Sequence, residues 1–93
     1  MMLTRSFQKT LIAKAHSLKP VVQLGQNGLT PAVHDEIDVQ LLKHELIKIK
    51  LNVQDKEAFE ELVRLIPEKH QAFCIQSIGR TIVLYKENPN LRK

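Results

Sequence analysis

Apolar residues near the start of the chain recur at helical spacing. Phe7, Leu11, Ala15 and Leu18 lie four, four and three apart, on one face of a helix. Thr4 is a suitable cap, so the pattern predicts a helix to about Ala15. Arg5, Lys9 and Lys14 fall away from its apolar stripe. Pro20 pushes Lys19 out of helical geometry and closes the segment. Val21 to Leu24 is a short apolar run, read as a strand. Gly25-Gln26-Asn27-Gly28 follows as a turn. Thr30-Pro31 opens a second helix, with threonine as cap and proline at the first helical position. Val33, Ile37 and Leu41 form its stripe, and it should stop near Lys43 or His44.

Leu46 to Val53 alternates. Ile47, Ile49, Leu51 and Val53 point one way; Lys48, Lys50 and Asn52 point the other. Gln54 or Asp55 caps a third helix over about Lys56 to Glu68, striped by Phe59, Leu62, Val63 and Ile66. Pro67 should loosen its last turn. Ala72 to Ile78 and Thr81 to Lys86 flank Gly79-Arg80 and read as a hairpin. The polar stretch from Glu87 reads as a frayed tail (about 87–93).

The order is α-β-α-β-α-β-β. Strands joined through helices should run parallel and the last two antiparallel. The expected fold is a single-domain α/β sandwich over 1–93 with a mixed four-stranded sheet. The alternating lysines imply that one sheet face is largely open.

Composition narrows the function classes. Ninety-three residues, 43% apolar and 26% charged, suit one small folded domain with a thin core. A deep enclosed active site has little room. The single cysteine excludes an internal disulfide framework and a multi-cysteine zinc site. No apolar run is long enough to span a membrane. The net charge is +4, but placement says more. Before His34 the charged residues are Arg5, Lys9, Lys14 and Lys19, and the first carboxylate is Asp35. Such asymmetry is the footprint of a polyanion partner, or simply a solvated basic surface.

Strand, G-x-x-G, helix is the segment richest in chemistry. Glycines permit positive φ and close backbone approach, and turn amides can converge on an anion ahead of a helix start. The expected free donors are the amides of Gln26, Asn27, Gly28 and Leu29, because Pro31 has no N–H and Thr30 occupies the amide of Ala32 or Val33. The segment is neither a dinucleotide fingerprint nor a Walker loop. A plain turn is the competing reading. Lys19, Lys48 and Lys50, with Arg5, Lys9 and Lys14, would supply the attraction if they surround the loop. Otherwise they only keep an open sheet soluble.

Other constellations carry less. His16, His34, His44 and His70 match no metal or catalytic spacing. His44 suits a helix C-terminus. Asp35, Glu36 and Asp38 read as dipole partners on a solvated face. Cys74 reads as a buried structural thiol, and Tyr85 as a strand hydrophobe. No enzyme, cofactor, metal or small-molecule substrate is expected.

Three motifs together resemble a known family. Leu18-Lys19-Pro20-Val21-Val22-Gln23-Leu24-Gly25-Gln26-Asn27-Gly28-Leu29-Thr30 resembles the signature of the CRM domain, the chloroplast RNA splicing and ribosome maturation module. His44 to Lys50 is similar to its second strand, and Ile78 to Lys86 to its terminal hairpin. The size resembles the stand-alone bacterial, YhbY-type members. The resemblance implies a fold similar to the C-terminal domain of bacterial translation initiation factor three. It implies RNA binding through Gly25, Gln26, Asn27 and Gly28, with basic surroundings at Lys19, Lys48, Lys50 and Arg80. It also implies association with ribosomal RNA of the large-subunit precursor (pre-50S) and a role in ribosome assembly. The expected state is a cytoplasmic monomer. The alternative is a protein-interaction module docking on a ribosomal protein or translation factor, with incidental RNA contact.

Overall fold

Each of the three helices begins where a side chain satisfies its first free amides. The computed structural model describes residues 3–25 and 27–92, the last by its backbone alone. Thr4 Oγ1 accepts from the Phe7 amide at 3.0 Å and opens α1 (Arg5–Ala15). Thr30 Oγ1 accepts from Val33 at 3.2 Å and opens α2 (Pro31–His44). Asp55 Oδ2 accepts from Ala58 at 3.0 Å and opens α3 (Lys56–His70). Each such cap stabilises its helix by about 1 kcal/mol.

Two of the three helices end on a non-glycine residue at positive φ. Glu45, at φ +60, closes α2, and Gln71, at φ +52, closes α3. Both bond back into their helices: Glu45 N–H to Leu41 O at 3.0 Å, Gln71 N–H to Glu68 O at 3.4 Å. α3 runs past the predicted Glu68 to His70 and carries Pro67 inside it.

The strands are β1 (Val22–Leu24), β2 (Leu46–Leu51), β3 (Phe73–Ile78) and β4 (Thr81–Tyr85), in sheet order β1-β2-β4-β3. β1 is parallel to β2, and β4 is antiparallel to both β2 and β3. β4 thus folds back between two strands that run the same way. β2 ends at Leu51, two residues short of the predicted Val53, although the Asn52 amide still reaches Leu24 O at 2.9 Å.

The register sorts side chains onto two faces. Val22, Leu24, Ile47, Ile49, Leu51, Ile82 and Leu84 line one face, with Ile37, Leu41 and Ile66 of α2 and α3 over them. The opposite face is not as open as the lysines of β2 implied. α1 covers half of it, packing Leu11 and Ala15 onto Leu46, Ile75, Val83 and Tyr85. Phe7 meets Tyr85 edge-on with ring centroids 5.4 Å apart. Gln8 Nε2 donates to Ile75 O at 3.1 Å, where β3 bulges. The fold is therefore three layers deep at one end of the sheet and two at the other.

Beyond β4 the chain stays attached for a few residues. Lys86 N–H donates to Glu45 O, Asn88 N–H to the Glu45 carboxylate, and Asn88 Nδ2 to Leu42 O at 2.9 Å. Residues 89–92 then form a short 3-10 turn, so the expected fraying does not begin at Glu87.

Candidate functional site

The uncovered half of the second face ends at the glycine turn. Gly28 N–H donates to Gly25 O at 3.2 Å, and Thr30 N–H to Gly28 O at 3.1 Å. Gly28 sits at φ +68, where only glycine is unstrained, whereas Gly25 does not adopt positive φ. Of the two glycines that permit positive φ, Gly28 alone uses it. A Cβ built on either would meet nothing within 4 Å, so the turn is open to an approaching group. The expected donors are corrected too, since the Gly28 amide is spent inside the turn. Among the described residues, the amides of Asn27 and Leu29 have no protein partner. Gln26 lies outside the described residues.

Pairing fixes what surrounds this turn. Leu24 sits beside Leu51, and Leu51 N–H donates to Arg80 O at 2.7 Å. The glycine turn, the 52–55 connection and the Gly79-Arg80 tip therefore share one end of the sheet. The exposed Arg80 guanidinium also donates to Val53 O, which ties the tip to that connection. Lys50 lies between Gln23 and Thr81 on the open face, and Lys48 lies one step inward beside Val83. Val21 N–H bonds to Lys48 O at 3.0 Å and draws the Lys19-Pro20 connector to the same face. Pro20, Lys48, Ile78, Thr81 and Val83 line a shallow depression of about 210 Å³.

The structure thus brings Gly25, Asn27, Gly28, Leu29, Lys50 and Arg80 together, with Lys48 and Lys19 adjoining. It does not bring the cations of α1 to the turn. Arg5 and Lys9 lie on the exposed side of the covering helix. Lys14 lies near Leu46, at the far end of a strand about 17 Å long. None of Arg5, Lys9, Lys14, Lys19, Lys48, Lys50 or Arg80 forms an ion pair among the described residues. Their charge is uncompensated by side chains. Asp35 and Glu36 stand in the second turn of α2, not its first.

A side-chain chain that spacing did not reveal links α2 to the end of α3. His70, 5% exposed, meets Asp38 Oδ1 through Nδ1 at 2.6 Å and His34 Nδ1 through Nε2 at 2.9 Å. With Asp38 ionised, His70 Nδ1–H donates to it; with His70 neutral, its Nε2 then accepts from His34 Nδ1–H. Asp38 is thus more than a dipole partner. Its only sequence trace is the four-residue spacing from His34 to Asp38. Among the described residues no group of three or more His, Cys, Asp or Glu is placed to hold a metal, and no helix is long and apolar enough to cross a membrane. Cys74 is half-buried against α3's side of the sheet rather than fully buried. Burial pushes its thiol pKa up, partly offset by a hydrogen bond with the Gln76 backbone.

Known proteins share both sequence and fold. The model of the CRS1 / YhbY (CRM) domain matches residues 3–86. A Haemophilus influenzae "RNA-binding protein" is 44% identical over 72 residues, 77% of this chain and 73% of the relative. A Pseudomonas aeruginosa "Probable RNA-binding protein" is 34% identical over 93 residues, 100% of this chain and 89% of the relative. The solution structure of a Staphylococcus aureus protein superposes with a TM-score of 0.79 at 31% identity, covering 94% of this chain and 91% of that one.

Proposed function

This chain belongs to the CRS1/YhbY (CRM) domain family, and on that premise we propose that it is a non-enzymatic RNA-binding protein. In this reading it contacts ribosomal RNA of the large subunit or its precursor in the cytoplasm and aids ribosome assembly. The observation that carries the reading is the run of cations without ion-pair partners, Arg80, Lys50, Lys48 and Lys19, leading away from an open glycine turn. Relatives named as RNA-binding proteins support it.

The chemistry follows from charge and shape. Phosphates pair with the ammonium groups and release their counterions. The Asn27 and Leu29 amides add donors that need no reorganisation. The open faces of Gly25 and Gly28 let an RNA backbone come close. The chain's four aromatics offer no array of stacking platforms. Phosphate positions and RNA shape therefore supply most of the selectivity.

Salt titration tests the reading. Replacing Lys48 and Lys50 with alanine should weaken binding to single-stranded RNA and flatten the log–log salt slope by about 1.4, at roughly 0.7 per phosphate contact. An unchanged slope would place the RNA elsewhere. Binding that survives high salt would favour the alternative of an apolar protein-docking module. Crosslinking in cells, followed by sequencing of the attached RNA, tests the ribosomal target. A recovery without large-subunit sequences would overturn that part.

A further inference from the structure

We propose that a groove at the opposite end of β2 binds one unstacked nucleotide of the same RNA, its base against Leu18 and Val21 and its phosphate among Lys14, Lys19 and His44. The inference rests on the RNA-binding reading and adds a second contact to it.

The groove has a volume of about 430 Å³ and lies where the ends of α1 and α2 approach the start of β2. That is a normal size for a small-ligand site. Among the described residues its lining contains Lys14, Lys19 and His44 and no carboxylate. The same lining presents apolar surface to water: Leu18 is 36% exposed and Val21 41%. Cations around an exposed aliphatic floor match an anion that carries a flat apolar part. A nucleotide is that combination. A bare phosphate would leave the floor wet, and an uncharged hydrophobe would leave the cations unused.

The floor is held in place. Leu18 N–H donates to Ala15 O at 3.0 Å, Ser17 Oγ to Lys14 O at 3.1 Å, and Val21 N–H to Lys48 O at 3.0 Å. The first two bonds cap carbonyls of the last turn of α1, which would otherwise repel a phosphate. Continuity with the first site is direct. Lys19 borders the groove, while its neighbour Pro20 borders the depression containing Lys48. A strand laid over Lys50, Lys48 and Lys19 reaches both ends. Among the described residues neither Phe nor Tyr lines the groove, so an aliphatic floor takes the base.

Amide NMR of the isotope-labelled full chain tests this with adenosine monophosphate, inorganic phosphate and a short single-stranded RNA. Adenosine monophosphate should shift Leu18, Lys19, Val21 and His44. Leu18→Ser should weaken it about fivefold through lost apolar contact while leaving the phosphate response unchanged. Lys14→Gln, at an exposed helix position, should weaken both ligands about twofold and guards against a folding defect in the first variant. Identical responses to nucleotide and phosphate, both insensitive to Leu18→Ser, would overturn the proposal. So would silence at the groove. RNA that shifts Asn27, Gly28 and Lys50 but not the groove removes the groove alone. RNA that shifts the groove but not those residues keeps it and removes the turn from the reading. RNA that shifts neither removes both.

Discussion

Gly25 and Gly28 look equivalent in the sequence and differ in the folded chain. Gly28, at φ +68, needs the left-handed region; Gly25 does not, and both have free space where a Cβ would stand. Gly28→Ala should therefore cost about 1–2 kcal/mol. Gly25→Ala should be neutral or slightly stabilising. Thermal melts of the two variants check this, and Gly25→Glu then separates a binding defect from a folding defect. Cys74 gives a second residue-scale outcome. Because burial raises its pKa, iodoacetamide at mildly alkaline pH should modify it more slowly than free cysteine, with the difference abolished in denaturant. Reaction at the free-thiol rate in the folded protein would contradict that environment. At this scale the sequence identified residue types better than their states. A glycine's φ depends on the bond from Gly28 to Gly25, and the join of His34 and Asp38 to His70 depends on two helices meeting. Neither is written in local spacing.

Elements were legible wherever one face was wet and the other dry. All three helix starts and the order of elements follow from caps and periodicity. The misjudged point was how much of the sheet is covered. Lys48 and Lys50 signalled an open face, but Leu46 and Ile47 are both buried, as are Ile82 through Tyr85. Neighbours in a strand point to opposite faces, so consecutive burial means cover on both sides. That signal lay in the unbroken apolar run of β4 and was outweighed by the alternation in β2. α1 supplies the cover. Leu11→Ala, at 3% exposure, should cost about 3 kcal/mol and lower the melting temperature by roughly 12–24 °C for a domain of this size. Denaturation monitored by circular dichroism gives the comparison. A loss below about 1 kcal/mol would mean that α1 is not part of the cooperative core. Crossing order was the other hidden feature. The hairpin was evident, but β4 lies between β2 and β3 because it must bury both of its faces, whereas the three-residue β1 and the bulged β3 can serve as edges.

Over the whole molecule, the placement of cations gives the chain a direction. Positive charge runs from the glycine turn across the two-layer half of the sheet to the ends of α1 and α2, while α3 carries Glu57, Glu60, Glu61 and Glu68. Arg64 on that helix is already held by Glu61 and Glu68, which raise its pKa further. Replacing Glu60 with lysine, on the side away from the open face, should leave the salt slope of RNA binding unchanged. A slope steeper by about 0.7, one added phosphate contact, would show that RNA also reaches α3.

The clasp of Asn88 on Glu45 and Leu42 fixes where anything attached after it must emerge. β4 ends beside Leu46, so a dye or a surface anchor joined just after the clasp leaves from the pole remote from Gly28. Immobilised that way, the protein would present its turn outward, and a sensor built on it would read binding at the turn free of shadowing by its own support.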